Sequence, residues 1–146
     1  MTAVNVYLNF DGNCEEAFNF YKSVFGVEFF YIGRFKDMPP QEGMPPMSKE
    51  DGEKIMHVSL MISKETALMG SDTGGEWAPS YVKGNNFSIS ISCDNKKDAE
   101  RIFNGISSGG TVTMPLAQTF WAEQFGMCTD KFGINWMMSY DSGEKK

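Results

Sequence analysis

The sequence predicts an α+β fold of two tandem βαβββ modules, whose strands form a curved mixed sheet around a cleft. Three observations point there. A strand of clean two-residue alternation opens each half. Each such strand is followed by one helical stretch and three strand-like stretches, in the same order. Ala17 and Tyr21 of the first helical stretch recur as Ala99 and Phe103, both 82 positions on. The 146 residues read as a single domain, with module one over about 3–72 and module two over about 86–140.

Val4, Val6, Leu8 and Phe10 share one face of the opening strand, and Asn5, Tyr7 and Asn9 the other. Asp11-Gly12-Asn13 is a turn, with Asn13 placed to cap a helix. Glu15 and Glu16 then suit the positive end of the helix dipole. Ala17, Phe20, Tyr21 and Val24 recur at helical spacing, and Gly26 is placed to end the helix in a left-handed cap. Val27 to Phe35, aromatic and β-branched, reads as a strand. Residues 36 to 54 hold four prolines (Pro39, Pro40, Pro45, Pro46) and Met38, Met44 and Met47. They read as one long loop, a functional lid, a subunit contact or a disordered stretch.

Strand alternation resumes at Ile55, with Met56, Val58, Leu60 and Ile62 on one face and His57, Ser59 and Met61 on the other. Thr66 to Ser71 is a further strand, Asp72 a turn residue, and 72 to 85 a polar connector. Phe87, Ile89, Ile91 and Cys93 then alternate with Asn86, Ser88, Ser90 and Ser92. Asp94 is placed to cap a helix over Lys96 to Ile106, which Gly109-Gly110 ends. Thr111 to Leu116, Trp121 to Thr129 and Ile134 to Tyr140 complete the second set of strands.

The apolar faces of the opening strands should meet the helices, and the polar faces should line the cleft. That makes Asn5, Tyr7, Asn9, His57, Ser59, Met61, Ser88 and Ser90 candidate ligand contacts. Trp121, Phe125 and Met137 join them, the aromatics as surfaces for flat or apolar ligands. Core packing suits Trp136 better, because it alternates in step with Ile134 and Met138. His57 is the single histidine and the one candidate acid or base, since imidazole titrates near neutrality. It has no identified partner in the sequence, and no base is placed to activate a serine.

A net charge of −6 and a pI of about 4.8 oppose nucleic-acid binding. No apolar run reaches the roughly 18 residues a membrane span needs, and MTAVNVYLNF lacks the basic start of a signal peptide. Cys14, Cys93 and Cys128 are odd in number and form no CxxC pair, as expected of reduced thiols in a cytoplasmic protein.

The motifs carry a family resemblance over residues 4 to 140. They are Tyr7-Leu8-Asn9-Phe10-Asp11-Gly12-Asn13-Cys14-Glu15-Glu16-Ala17, Met56-His57, Ser71-Asp72, Gly109-Gly110-Thr111-Val112, Met114-Pro115-Leu116, Thr119-Phe120-Trp121 and Asp130-Lys131-Phe132-Gly133 followed by Trp136. The chain resembles the PhnB-like branch of the vicinal oxygen chelate superfamily, which has the glyoxalase/bleomycin resistance fold. The resemblance implies metal ligands of the His, Gln or Glu kind on the first and last strands of each module. In this chain those positions fall on Asn5 or Tyr7, within Leu68 to Gly70, on Asn86 or Ser88, and on Met137. None is a strong ligand for zinc, nickel or iron.

The expectation is therefore a metal-independent protein without cofactor that binds an unknown small organic ligand, as the resistance members do. It would pair as a homodimer by the superfamily's habit. The alternatives are an enzyme using His57 as acid or base, an enzyme with an atypical metal site, and a structural dimer with a vestigial cleft. The branch's association with ubiquinone methylation has no support in a Gly-rich loop after the first strand that would hold a methyl donor.

Overall fold

The computed structural model describes residues 2–39, 43, 47–73 and 80–142. The chain forms two compact units, residues 1–82 and 83–146. Each is a four-stranded mixed sheet covered on one face by one long helix, which is the predicted α+β arrangement of two βαβββ modules.

In unit one the elements run β1 (Val6–Phe10), α1 (Cys14–Phe25), β2 (Phe29–Arg34), α2 (Lys49–Glu53), β3 (Ile55–Met61) and β4 (Ala67–Asp72). The sheet order is β1-β4-β3-β2, with β1 and β4 parallel and the other pairs antiparallel. Cys14, Ala17, Phe18 and Tyr21 of α1 are buried, as are Leu8, Phe10, Val58, Leu60 and Leu68 of the strands. Burying each large side chain of this set stabilises the unit by about 1.5–3 kcal/mol. Phe18 is central. It meets Phe10 edge-on with centroids 6.1 Å apart, and its ring rests on Gly70, where a Cβ would come within 2.7 Å of it.

Unit two runs β5 (Ile89–Cys93), α3 (Lys96–Ser107), β6 (Thr111–Ala117), β7 (Gln124–Thr129) and β8 (Asn135–Tyr140), in the order β5-β8-β7-β6. Ala99, Ile102, Phe103 and Ile106 of α3 are buried, with Cys128, Trp136 and Met138 of the sheet. Phe103 rests on Gly126, where a Cβ would lie 2.9 Å from its ring.

Several sequence expectations shift. Val4, expected in the core, is 92% exposed. β1 starts at Val6 because that is where pairing with Leu68 begins. Phe87 is exposed and Ser88 precedes β5 for the same reason, since the first pair is Ile89 with Trp136. β7 begins at Gln124 rather than Trp121, because Thr119 and Ala122 close a turn around Phe120 and Trp121. The 36–54 loop carries a 3₁₀ turn (Phe35–Asp37) and α2, capped by the Ser48 hydroxyl. Pro40, Met44, Pro45, Pro46 and the connector residues 74–79 lie outside the described residues.

The caps differ too. Asn13 occupies the N-cap position of α1, but its side chain makes no capping bond. The acceptor is Asp72, which takes the Gly12 and Cys14 N–H groups on one oxygen and the Ile55 N–H on the other, all at 2.9 Å. At α3 the cap is Asn95, one residue beyond Asp94, and it accepts from the Asp98 N–H at 2.8 Å. Gly26 ends α1 in the left-handed region, as its position predicts.

Candidate functional site

The sheet face of unit one turned away from α1 is set by the strand period. Gly70, Leu8 and Val58 face the helix, so Tyr7, His57, Ser59 and Met69 face the other way. Register places Tyr7 beside Met69, Met69 beside Ser59, and Ser59 beside Tyr31. Asn5, Asn9 and Met61 belong to the same alternating set. Asn5 is engaged in structure, its side-chain oxygen accepting from the Ala67 N–H at 3.2 Å.

His57 is half-buried at the centre of this face. Its Nδ1 lies 3.1 Å from the Tyr7 hydroxyl. The Tyr7 ring stacks on the imidazole, with centroids 5.6 Å apart and planes at 27°. Tyr31 flanks it at 5.8 Å. The histidine that has no partner in sequence therefore has two tyrosines in space.

Tyr31 was not among the candidates, because its strand shows no clean alternation in sequence, and a bulge sets the face it takes. Phe29 pairs with Leu60 and Tyr31 with Ser59, so Phe30 is an extra residue in β2. One inserted residue moves every later side chain to the opposite face. The next position, Gly33, pairs with His57 and leaves room for the Tyr31 phenol, whose oxygen would lie 2.6 Å from a Cβ there.

In unit two the corresponding face carries Ser90, Phe125, Met127 and Met137. Register sets Met114 beside Met127, Met127 beside Met137, and Met137 beside Ser90. This is a row of thioethers across three strands, soft and adaptable in shape. Phe125 is buried and Trp121 is 49% exposed, meeting it edge-on at 5.3 Å. Ser88 sits outside the sheet. Trp136 is core, with its indole N–H donating to buried Asp130 at 2.8 Å.

Of the positions that the resemblance marks for metal ligands, the first offers the Tyr7 phenol or the Asn5 amide, already bonded to Ala67, the second lies among Leu68, Met69 and Gly70, the third is Asn86 or Ser88, ahead of β5, and the fourth is the Met137 thioether. These do not fit a divalent zinc, nickel or iron ion, which takes imidazole, carboxylate or thiolate. Among the described residues no three His, Cys, Asp or Glu side chains are grouped so that they could hold a metal ion. Cysteine chemistry is also disfavoured. Burial, with the Asp72 and Glu15 charges behind it, pushes the Cys14 thiol far up. Burial and then Asp130 raise Cys128 to about 11, and burial raises Cys93. None is a thiolate near neutral pH.

Away from the His57 face, a concavity of about 460 Å³ opens at the N-terminus of α1 between Asp11, Glu15, Arg34, Glu53 and Lys54. Its charges largely satisfy one another. Arg34 grips Glu15 with two N–H donors, at 3.0 and 2.6 Å, and donates to the Glu53 carbonyl. The Arg34 hydrogen bond holds the Glu15 carboxyl below its usual range.

The family model described as 3-demethylubiquinone-9 3-methyltransferase matches residues 2–139. The chain belongs to this family. The chain is 30% identical over 138 residues to Protein YjdN of Escherichia coli (strain K12), covering 91% of each. It is 38% identical to protein PA1353 from Pseudomonas aeruginosa, covering 97% of this chain and 98% of that one with a TM-score of 0.79. The PhnB protein from Bacillus cereus shares the fold at 22% identity and a TM-score of 0.71, over 95% and 99% of the two chains. The fold extends to a glyoxalase/bleomycin resistance protein/dioxygenase family enzyme from Burkholderia phytofirmans PsJN, at 14% identity and a TM-score of 0.60 over 94% and 98%. Among the described residues of this family member no helix is long and apolar enough to cross a membrane.

Proposed function

We propose that the protein binds a small organic molecule, without a metal, on the sheet face that carries His57. The observation that carries this reading is the half-buried imidazole held by the Tyr7 hydroxyl at 3.1 Å and flanked by Tyr31. Aromatic rings beside one oriented polar group are what a small-molecule site needs. Ser59 and Met61 extend the same face, and Met137, Phe125, Trp121 and Ser90 supply a softer one in unit two. The family description names a methyl transfer. The turn after β1 holds a single glycine, Gly12, and offers no glycine-rich cradle for a methyl donor.

The same hydrogen bond favours one second reading, an enzyme in which His57 moves a proton under the control of Tyr7. A cytoplasmic homodimer goes with either reading, on the free cysteines and on the superfamily's habit of pairing modules.

The test is a thermal-shift screen of flat aromatic fragments on the full chain, with elemental analysis of the purified protein. Fragments that raise the midpoint of the native protein and fail to do so in His57→Ala support the site. Stoichiometric transition metal, whose removal lowers the midpoint, would replace this reading with a metal-dependent one.

A further inference from the structure

We infer that Tyr7 fixes His57 in the tautomer that carries its proton on Nε2, so that the site selects ligands presenting a hydrogen-bond-accepting oxygen on a flat body. The inference rests on the binding face proposed above and adds the chemistry of what it takes.

The hydroxyl of Tyr7 lies 3.1 Å from Nδ1 of His57. A phenol both donates and accepts, and a neutral imidazole has one donor nitrogen and one acceptor nitrogen. Among the described residues the Tyr7 hydroxyl has no acceptor other than Nδ1. A phenol is the stronger donor of the two groups and a bare imidazole nitrogen the stronger acceptor, so the phenol donates, Nδ1 accepts, and the neutral imidazole carries its proton on Nε2. A protonated imidazole also carries hydrogen on Nε2. Both states therefore present the same donor to a ligand. Among the described residues no protein group accepts from that nitrogen, so its partner comes from outside.

The flanks set the rest of the ligand. The two phenol rings lie 5.6 and 5.8 Å from the imidazole. Gly33, paired with His57, keeps the sheet low where the Tyr31 ring lies across it. Low walls of aromatic carbon favour a planar, apolar body. A ligand that offers only N–H donors would leave Nε2–H facing another donor, at the cost of an unmade hydrogen bond. A carboxylate and a neutral carbonyl both answer the requirement, and a cationic amine does not.

Because the chain has one histidine, its ring nitrogens give a single unambiguous set of signals in ¹⁵N-labelled full-length protein. Two-bond ¹H–¹⁵N spectra at about pH 8.5, above the ordinary histidine range, should show Nε2 protonated and Nδ1 bare. Tyr7→Phe should shift the signals toward a mixture of tautomers without changing the thermal midpoint, since Tyr7 is exposed. Benzoate and benzamide should each move the Nε2 signal, and benzylammonium should not. A proton on Nδ1 in the native protein, or a tautomer unaffected by Tyr7→Phe, overturns the inference. If benzylammonium alone moves the His57 signals, the ligand class is wrong and the binding face stands. If none of the three does, the ligand class is wrong too, and the fragment screen then decides separately whether the face binds anything.

Discussion

The two modules share one topology and solve one packing problem in opposite ways. In module one, Val58 on β3 stands beside Gly70 on β4. In module two, the same two places hold Gly126 on β7 beside Met138 on β8. Large and small have changed strands. The covering helices follow, dropping Phe18 onto Gly70 and Phe103 onto Gly126. By the 82-residue offset Phe103 matches Tyr21, not Phe18, so the inserted ring has moved by about one helical turn. The fold requires filled volume under the helix and leaves open which residue supplies it.

The helix caps diverge more sharply, and the largest expected effect tests them. Asp72 receives three backbone N–H groups while 4% exposed. Asp72→Ala leaves three N–H groups unpaired, two of them in buried bonds, and should lower stability in urea unfolding by about 3–5 kcal/mol. Asn95→Ala removes two local bonds, both to Asp98, at an exposed helix end and should cost about 1 kcal/mol. Equal losses for the two would break the contrast.

The exchanged glycines come next. Gly70→Ala would place a Cβ 2.8 Å from the Leu8 carbonyl oxygen, and Gly126→Ala one 3.0 Å from the Leu116 Cα. Both neighbours are backbone, which yields little, so each change should cost about 1–3 kcal/mol. If either is neutral by thermal unfolding, its glycine is not the space-maker described.

The smallest effect belongs to a device in module one, the Arg34–Glu15 pair. Arg34 lowers the Glu15 pKa, so the folded state is favoured above the ordinary glutamate range. That contribution is lost as pH falls through the lowered value. Arg34→Gln should flatten this part of the acid stability profile. Solvent screening keeps the change below about 1 kcal/mol, and an unchanged profile would show the pair to be silent.

Much of this was legible in the sequence. Two-residue alternation placed Leu8, Phe10, Val58 and Leu60 in the core and His57 and Ser59 on the opposite face, because a sheet admits only two faces. The duplicated order revealed the modules. Tyr31 escaped because Phe29, Phe30, Tyr31 and Ile32 are all apolar or aromatic and show no two-residue alternation, and the bulge at Phe30 that sets its face leaves no mark in composition. Asp72 escaped because its N–H partners at Gly12 and Cys14 stand about sixty positions earlier, and a lone aspartate after a strand looks like a turn. Asn95 was missed by one position, since Asp94 and Asn95 are both competent caps. The short helix Lys49–Glu53 hid in a stretch dominated by prolines.

The reach of Asp72 also bears on the order of folding. Helix α3 carries its own cap and can begin to form as soon as its residues exist. Helix α1 has to wait for a carboxylate that leaves the ribosome some 58 residues later. Synthesis of those residues takes seconds, far longer than helix formation, so the amino-terminal half of the chain, made first, is set to finish its helix late.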